Sequence, residues 1–151
     1  MMELTHYIIF GIIALVILVA MVVGLKKATG IYHTENELDD MDGVEFEEFV
    51  ADLMRRMGYR IESMTKASGD FGADIIATMN GQRIAVQCKR YSSGVGVKAI
   101  QEVVASTSHY DCDGAIAVTS SYFTRGAVEL ANDNSVILWD RETLIRLMKE
   151  M

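Results

Sequence analysis

The sequence predicts an α/β domain with a mixed central sheet, preceded by one transmembrane helix. Three observations lead to this prediction. Residues 7–25 are apolar and carry no charge. Residues 73–79 and 82–89 read as strands joined by Asn80-Gly81, a dipeptide typical of a tight hairpin. Further along the chain, short apolar runs alternate with helical patterns, as they do in the crossover units of a parallel sheet.

The apolar run 7–25 has the length of a membrane span, about 29 Å as a helix at ~1.5 Å per residue. A cleaved signal peptide favours a basic leader and a shorter run. Here the leader contains Glu3 and no basic residue, whereas Lys26 and Lys27 follow the run. We therefore expect a retained anchor at residues 1–27. We expect a single-pass protein of the cell membrane, and the positive-inside rule puts its C-terminal domain in the cytoplasm.

An acidic linker is expected at residues 28–41, which lack apolar periodicity and should be extended or poorly ordered. Residues 42–151 are enough for one domain with one core. The net charge of −7 argues against nucleic-acid binding if it is taken over the whole chain. Between residues 60 and 98, however, basic residues outnumber acidic ones. We expect DNA binding that is modest and sensitive to salt.

The elements of the domain follow from caps and periodicity. Asp42 and Glu45 form a capping-box pattern at the start of the first helix, and Gly58 is a stop signal. Strands and helices then alternate along the chain. The sequence predicts helices at 43–57, 97–108, 124–133 and 141–150, and strands at 59–64, 73–79, 82–89, 114–119 and 135–139.

The two-residue turn fixes the register of the hairpin. With Asn80 and Gly81 as the loop, Asp74 falls directly opposite Gln87, where Cβ atoms are roughly 5 Å apart. Lys89 lies two residues further along the strand and therefore on the same face. A carboxylate, an amide oxygen and an ammonium group converge there.

This combination of groups suits phosphodiester hydrolysis. A carboxylate can hold a divalent metal that activates water, and a lysine can stabilise charge on the phosphate. The alternative is a half-buried hairpin whose polar side chains merely face solvent. In both interpretations the opposite face is an apolar floor that includes Cys88.

The surrounding motifs resemble the Mrr-type restriction endonuclease family of the PD-(D/E)xK nuclease superfamily. The matching segments occur in order: GVEFEEFVADLMRRMGYRIE (43–62), SGDFGADIIA (68–77), IAVQCKRY (84–91), VKAIQEV (97–103) and FTRGAVELA followed by ILWD. The resemblance implies a restriction-endonuclease-like three-layer fold with an αβββαβ core. It also implies metal-dependent cleavage of DNA, with Mg²⁺, or Mn²⁺ in its place, as cofactor. Cutting both strands needs two sites, so a homodimer on DNA is a further expectation.

Carried over by position, the resemblance makes Asp74 the metal-binding aspartate and Lys89 the catalytic lysine. Gln87 occupies the position where the superfamily usually has glutamate, and glutamine there is the usual form in the Mrr-type branch. A glutamate of the first helix often completes the metal site. Glu47 is the candidate, because helical periodicity puts it at the margin of the apolar stripe, whereas Glu45 and Glu48 point away. The alternative for Glu47 is a solvated helix charge.

Four further residues have weaker assignments. Asp70 precedes the strand in a Gly-rich loop, where it either caps a turn or supports the site. Arg90, Tyr91 and Lys98 follow the catalytic strand and either contact DNA phosphates or form ordinary solvated surface.

Two function classes remain open at this stage. The first is a membrane-tethered, metal-dependent DNA endonuclease of restriction type, acting on modified or unmodified DNA. The second is a noncatalytic nuclease-like module for DNA binding or membrane interaction. The complete set of Asp74, Gln87, Lys89 and Glu47 favours the first. The two cysteines lack CxxC spacing and the three histidines are scattered, which disfavours a disulfide framework or a zinc site.

Overall fold

The computed structural model describes residues 11–21, 37–64 and 71–150. The chain divides into two compact units, Met1–Tyr32 and His33–Met151. In the first unit, residues 11–21 are helical and exposed. Within the described ranges, no helix is both long and apolar enough to cross a membrane. The remainder of the predicted span 7–25 lies outside the described residues, so the anchor stays a prediction.

The second unit contains a mixed five-stranded sheet, which confirms the predicted α/β class. The strands lie side by side in chain order. The first three are antiparallel, and the last three are parallel. The strands are β1 Arg60–Met64, β2 Ile75–Met79, β3 Gln82–Lys89, β4 Gly114–Thr119 and β5 Ile137–Trp139.

The hairpin between β2 and β3 has the predicted turn and register. Asn80 and Gly81 both adopt positive φ, 53° and 82°, as a tight two-residue turn requires. Met79 pairs with Gln82, and the same register continues to the far end of β2. The prediction succeeds because both determinants, the turn and the alternation of the strands, are local in sequence.

Five helices accompany the sheet in the described part of this unit. The longest begins with a reciprocal capping box, in which Asp42 accepts the amide of Glu45 and Glu45 accepts that of Asp42, each at 2.9 Å. Gly58, at φ 94°, follows the end of that helix. The helices are α1 Glu37–Asp40, α2 Gly43–Arg56, α3 Val97–His109, α4 Arg125–Asp133 and α5 Arg141–Lys149.

Helices cover both faces of the sheet, which gives the domain three layers. Helix α2 packs against β1 and β3, while α3 packs against β3 and β4 and also against α4. Ala85 of β3 belongs to the same core cluster as Ile100 and Val103 of α3. Because strand side chains alternate, Gln87 and Lys89 share the α3 face with Ala85. The polar face of the hairpin therefore lies beneath a helix.

Residues 37–41 differ from the expected extended linker. They form α1 and the turn after it, with Leu38 fully buried and Met41 only 6% exposed. Arg90 donates to the carbonyl oxygens of Met41, at 2.8 Å, and of Asp39. This docking depends on residues far away in sequence, which explains why the local polar composition of 28–41 suggested only a linker.

Candidate active site

Asp74 directly precedes β2 and lies beside β3. Its backbone N–H donates to the carbonyl of Val86 at 2.8 Å. Its carboxylate accepts the backbone N–H of Cys88 at 2.6 Å and the side-chain amide of Gln87. Asp74 and Gln87 are thus in contact, as the hairpin register predicts.

The Asp74–Gln87 pair is buried. Only 5% of Asp74 and 3% of Gln87 is exposed to solvent. Among the described residues, no buried side-chain nitrogen or oxygen lacks a hydrogen-bond partner. The interpretation of a hairpin with a solvent-facing polar side is therefore wrong, because α3 covers that face. A buried carboxylate can persist there because it accepts hydrogen bonds from the opposite strand.

Lys89 ends β3 and forms an ion pair with α3. Its Nζ lies 3.0 Å from Oε2 of Glu102, whose other oxygen lies 3.8 Å from Nζ of Lys98. Burial alone would lower the pKa of Lys89, but the hydrogen bond and the charge of Glu102 outweigh it, with a smaller contribution from Asp74, and the pKa is raised. Lys89 is therefore a cation at neutral pH.

Glu102 is a residue that the sequence interpretation missed. One signal was available, because Glu102 follows Lys98 at the i,i+4 spacing of a helical ion pair in the predicted helix 97–108. That spacing gives no reason to connect Glu102 with Lys89. The connection exists because α3 crosses the end of β3.

Glu47 approaches the end of β3 from the other layer. Its neighbours Phe46, Phe49 and Val50 on α2 are buried, whereas Glu47 and Glu48 are both half-buried and Glu45 is exposed. Burial therefore agrees with the expectation for Glu45 but does not separate Glu47 from Glu48. Burial raises the pKa of the Cys88 thiol well above its usual value, and the charges of Asp74 and Glu47 add to this. Glu47 is therefore close enough to this end of the strand to act on Cys88. Its role as a metal ligand stays a prediction.

The chemistry of the available donors fits a hard divalent cation. The carboxylates of Asp74 and Glu47 and the amide oxygen of Gln87 are oxygen donors, the type that Mg²⁺ prefers. In the described ranges, no group of three or more His, Cys, Asp and Glu side chains is arranged to hold a metal ion. The side-chain nitrogen of Gln87 faces Asp74. Its oxygen can therefore bind a metal on that side only if the amide group flips.

The remaining predicted residues have different environments. Arg90 bonds to backbone carbonyls at the end of α1, which engages its guanidinium within the domain. Tyr91 is 50% exposed, and the side chain of Lys98 is 86% exposed, so both can meet a ligand from solvent. Asp70 lies outside the described residues.

The strand end that carries Lys89 is held by the last residue of β4 and the first residue after it. Thr119 donates its hydroxyl to the carbonyl of Lys89 at 2.8 Å, and Ser120 donates to that of Tyr91 at 3.1 Å. A cavity of about 380 Å³ opens beside Tyr91 and Ser120. It is lined by Asp39, Tyr91, Ser92, Ser120, Ser121, Tyr122, Asp140, Arg141 and Glu142. The lysine backbone is thus fixed next to an open cleft.

Comparison with known proteins adds a family and a fold. The family model Mrr_cat, described as restriction endonuclease, matches residues 38–148. No curated protein matches the chain. Among solved structures, the DNA modification-dependent restriction endonuclease AspBHI aligns with a TM-score of 0.62 and 22% identity, over 82% of this chain and 38% of that chain.

Two further solved structures are similar. AF1548, a protein of unknown function, aligns with a TM-score of 0.54 and 19% identity, over 62% of this chain and 55% of that chain. MspJI restriction endonuclease, in complex with a 27-mer oligonucleotide, aligns with a TM-score of 0.49 and 24% identity, over 65% of this chain and 25% of that chain. This chain therefore spans at most about half the length of these relatives. The match to AspBHI supports a restriction-endonuclease-like fold.

Proposed function

The chain belongs to the Mrr-type restriction endonuclease family, and from this premise we propose that it is a metal-dependent DNA endonuclease that hydrolyses phosphodiester bonds. The observation that carries the proposal is the convergence of Asp74, Gln87 and Lys89 at the end of β3. Asp74, just before β2, accepts the side-chain amide of Gln87 on β3, and β3 carries a cation, Lys89, two residues further on. Hydrolysis of a DNA phosphodiester needs both a carboxylate that binds the metal and a positive charge near the phosphate.

Each side chain has a distinct role in this proposal. Asp74, Gln87 and Glu47 would hold Mg²⁺, or Mn²⁺, which supplies a Lewis acid and an activated water when bound. The Cys88 N–H fixes the carboxylate of Asp74 at 2.6 Å and so orients its oxygens. Lys89 remains protonated and stabilises negative charge that grows on the phosphate.

DNA is the proposed macromolecular partner. Lys98 and Tyr91 are exposed beside the catalytic strand and can contact the phosphate backbone and sugar. The name of AspBHI describes an enzyme that depends on DNA modification, and modified DNA is therefore among the substrates that we propose. Cleavage of both strands requires two sites, so the active form would be a homodimer on DNA.

Membrane attachment is a separate part of the proposal. Residues 7–25 are uncharged and are followed by Lys26 and Lys27, a pattern that favours a single-pass anchor with the nuclease domain in the cytoplasm. The nuclease would then meet DNA near the inner surface of the cell membrane.

A noncatalytic DNA-binding or membrane interaction module is the second candidate. The observation that favours it is the mutual satisfaction of Asp74 and Gln87, which are hydrogen-bonded to each other and almost fully buried. A polar pair of this kind can be purely structural. It would not need Lys89 beside it, which is why we rank this candidate second.

The test is a cleavage assay with the purified full-length chain. Supercoiled plasmid DNA, modified and unmodified, is incubated with Mg²⁺, with Mn²⁺ or with EDTA. We expect nicked or linear DNA with either metal and none with EDTA. Binding without cleavage of any DNA form, with either metal, would favour the noncatalytic module.

A further inference from the structure

Glu102 lies between two cations of very different exposure. The Lys89 ammonium, 3.0 Å away, belongs to a side chain that is 24% exposed, and the Lys98 ammonium, 3.8 Å away, to one that is 86% exposed. Glu102 itself is 31% exposed. The closer and less exposed contact is with Lys89, where solvent screens the attraction less.

The backbone of Glu102 is tied to the loop that leads into Asp74. Gly72 adopts φ 88° and packs directly on the Glu102 carbonyl, so that a Cβ at this position would overlap the carbonyl oxygen. Glu102 therefore contacts the Asp74 loop through its backbone and Lys89 through its side chain. One residue of α3 links both halves of the proposed active site.

We propose that Glu102 is a positioning residue that holds the Lys89 ammonium in place for the DNA phosphate. The inference rests on the proposed function. A lysine side chain has four flexible carbons and does not select one position for its charge by itself. A fixed carboxylate at 3.0 Å restricts the ammonium to the α3 side of the strand end. Holding a catalytic group in the correct position before the reaction contributes a large part of the rate enhancement.

The test compares Glu102→Gln, Glu102→Asp and the control Glu129→Gln in the full-length chain. Glu129 also forms an ion pair on a helix, 2.9 Å from Arg125, but both partners are well exposed and lie outside the site. Glu102→Gln keeps the shape of the side chain and removes its charge. Glu102→Asp keeps the charge on a shorter arm. Circular dichroism and thermal melting verify that each variant folds.

Two readouts are measured. The first is the NMR signal of the Lys89 ammonium and its hydrogen exchange with water in ¹⁵N-lysine-labelled protein, with exposed Lys149 of α5 as internal reference. We expect Glu102→Gln to accelerate exchange at Lys89, and Glu129→Gln to leave it unchanged. The second is the single-turnover cleavage rate at saturating protein, measured together with the DNA dissociation constant.

For Glu102→Gln, we expect the single-turnover rate to fall about 10- to 100-fold, the range for a catalytic group misplaced by about 1 Å. DNA affinity should not weaken, because a negative charge has been removed. Glu102→Asp should recover part of the rate. An unchanged rate, or unchanged exchange at Lys89, would overturn the positioning role. If the wild type cleaves no DNA, the proposed function fails, and the exchange of the Lys89 ammonium still decides whether Glu102 holds it.

Discussion

The carboxylate of Asp74 accepts the side-chain amide of Gln87, a residue of the neighbouring strand β3. Both side chains are almost fully buried, so this contact replaces hydrogen bonds to water. A neutral amide is well suited to position 87. In the absence of metal it gives the Asp74 carboxylate a hydrogen bond, and it does not neutralise the negative charge of that carboxylate. The same contact makes the chemical identity of residue 87 easy to test.

Gln87→Glu should destabilise the metal-free protein and increase its response to Mg²⁺. Two carboxylates would face each other in a buried site, which disfavours ionisation of both. We expect the free energy of unfolding to fall by about 1–3 kcal/mol without metal, and Mg²⁺ to restore more of it than in the wild type. Thermal melts with Mg²⁺ and with EDTA measure this. Gln82→Glu is the control, because Gln82 is exposed at the other end of the same strand. Identical Mg²⁺ responses of the wild type and Gln87→Glu would argue against a metal at this pair.

Gly72→Ala should destabilise the domain more than Gly58→Ala. Both glycines have similar positive φ, 88° and 94°, so both substitutions strain the backbone. Only at Gly72 does the new methyl group also meet the α3 backbone, at the Glu102 carbonyl. We expect roughly 2–4 kcal/mol of destabilisation at Gly72 and about 1 kcal/mol at Gly58. Chemical denaturation measures both, and equal losses would contradict the close packing of the Asp74 loop on α3.

The sequence was sufficient for features that depend on local geometry. Asn80-Gly81 determines the hairpin register and hence the Asp74–Gln87 contact, and the Asp42–Glu45 capping box determines where α2 begins. Helical periodicity likewise predicted the buried stripe of α2, with Phe46, Phe49 and Val50, but it did not separate Glu47 from Glu48, which are both half-buried. Each of these follows from neighbours within a few residues.

Features that depend on long-range packing were not predictable in the same way. The burial of Gln87 and the pairing of Lys89 with Glu102 arise because α3 covers the polar face of β3. Arg90 holds residues 39–41 and so joins two segments that are about 50 positions apart in the sequence. Alternation and periodicity describe which residues share a face, but not which element covers that face.

The contact between Asp39 and Arg141 should make stability depend on acid. The hydrogen bond from Arg141 lowers the pKa of Asp39 below its usual value of 3.8, partly offset by burial. Because the folded-state pKa is lowered, the stabilisation is present above pH ~4 and is lost as the pH falls through the folded value. Asp39→Asn should therefore melt below the wild type at pH 7, with a difference that shrinks toward pH 3.

Asp40→Asn, at the neighbouring exposed carboxylate, is the control for a general effect of lost acidic charge. Melting curves of the wild type and both variants between pH 3 and pH 7 supply the comparison. If the melting temperature of Asp39→Asn stays below that of the wild type by the same amount over this range, the charge on Asp39 does not hold α1 against Arg141.

Membrane topology can be tested independently of the nuclease. Lys26 and Lys27 follow the apolar run, so we expect the C terminus to face the cytoplasm. A reporter that is active only outside the cytoplasm, fused after Met151, should be inactive, whereas a cytoplasmic reporter at the same position should be active. Fractionation of the fusion should recover it with membranes. A strong signal from the external reporter would reverse the proposed orientation.

The most direct test of the account is single-turnover DNA cleavage with Mg²⁺ by the wild type, Asp74→Ala and Lys89→Ala, together with their DNA affinities. Arg125→Ala is the control, because it removes a 93% exposed cation from α4. We predict that both site variants lose cleavage by at least about a hundredfold, while DNA binding largely persists through phosphate contacts elsewhere. Arg125→Ala should cleave like the wild type. Cleavage that survives in Asp74→Ala or Lys89→Ala would contradict the assignment of the active site to the end of β3.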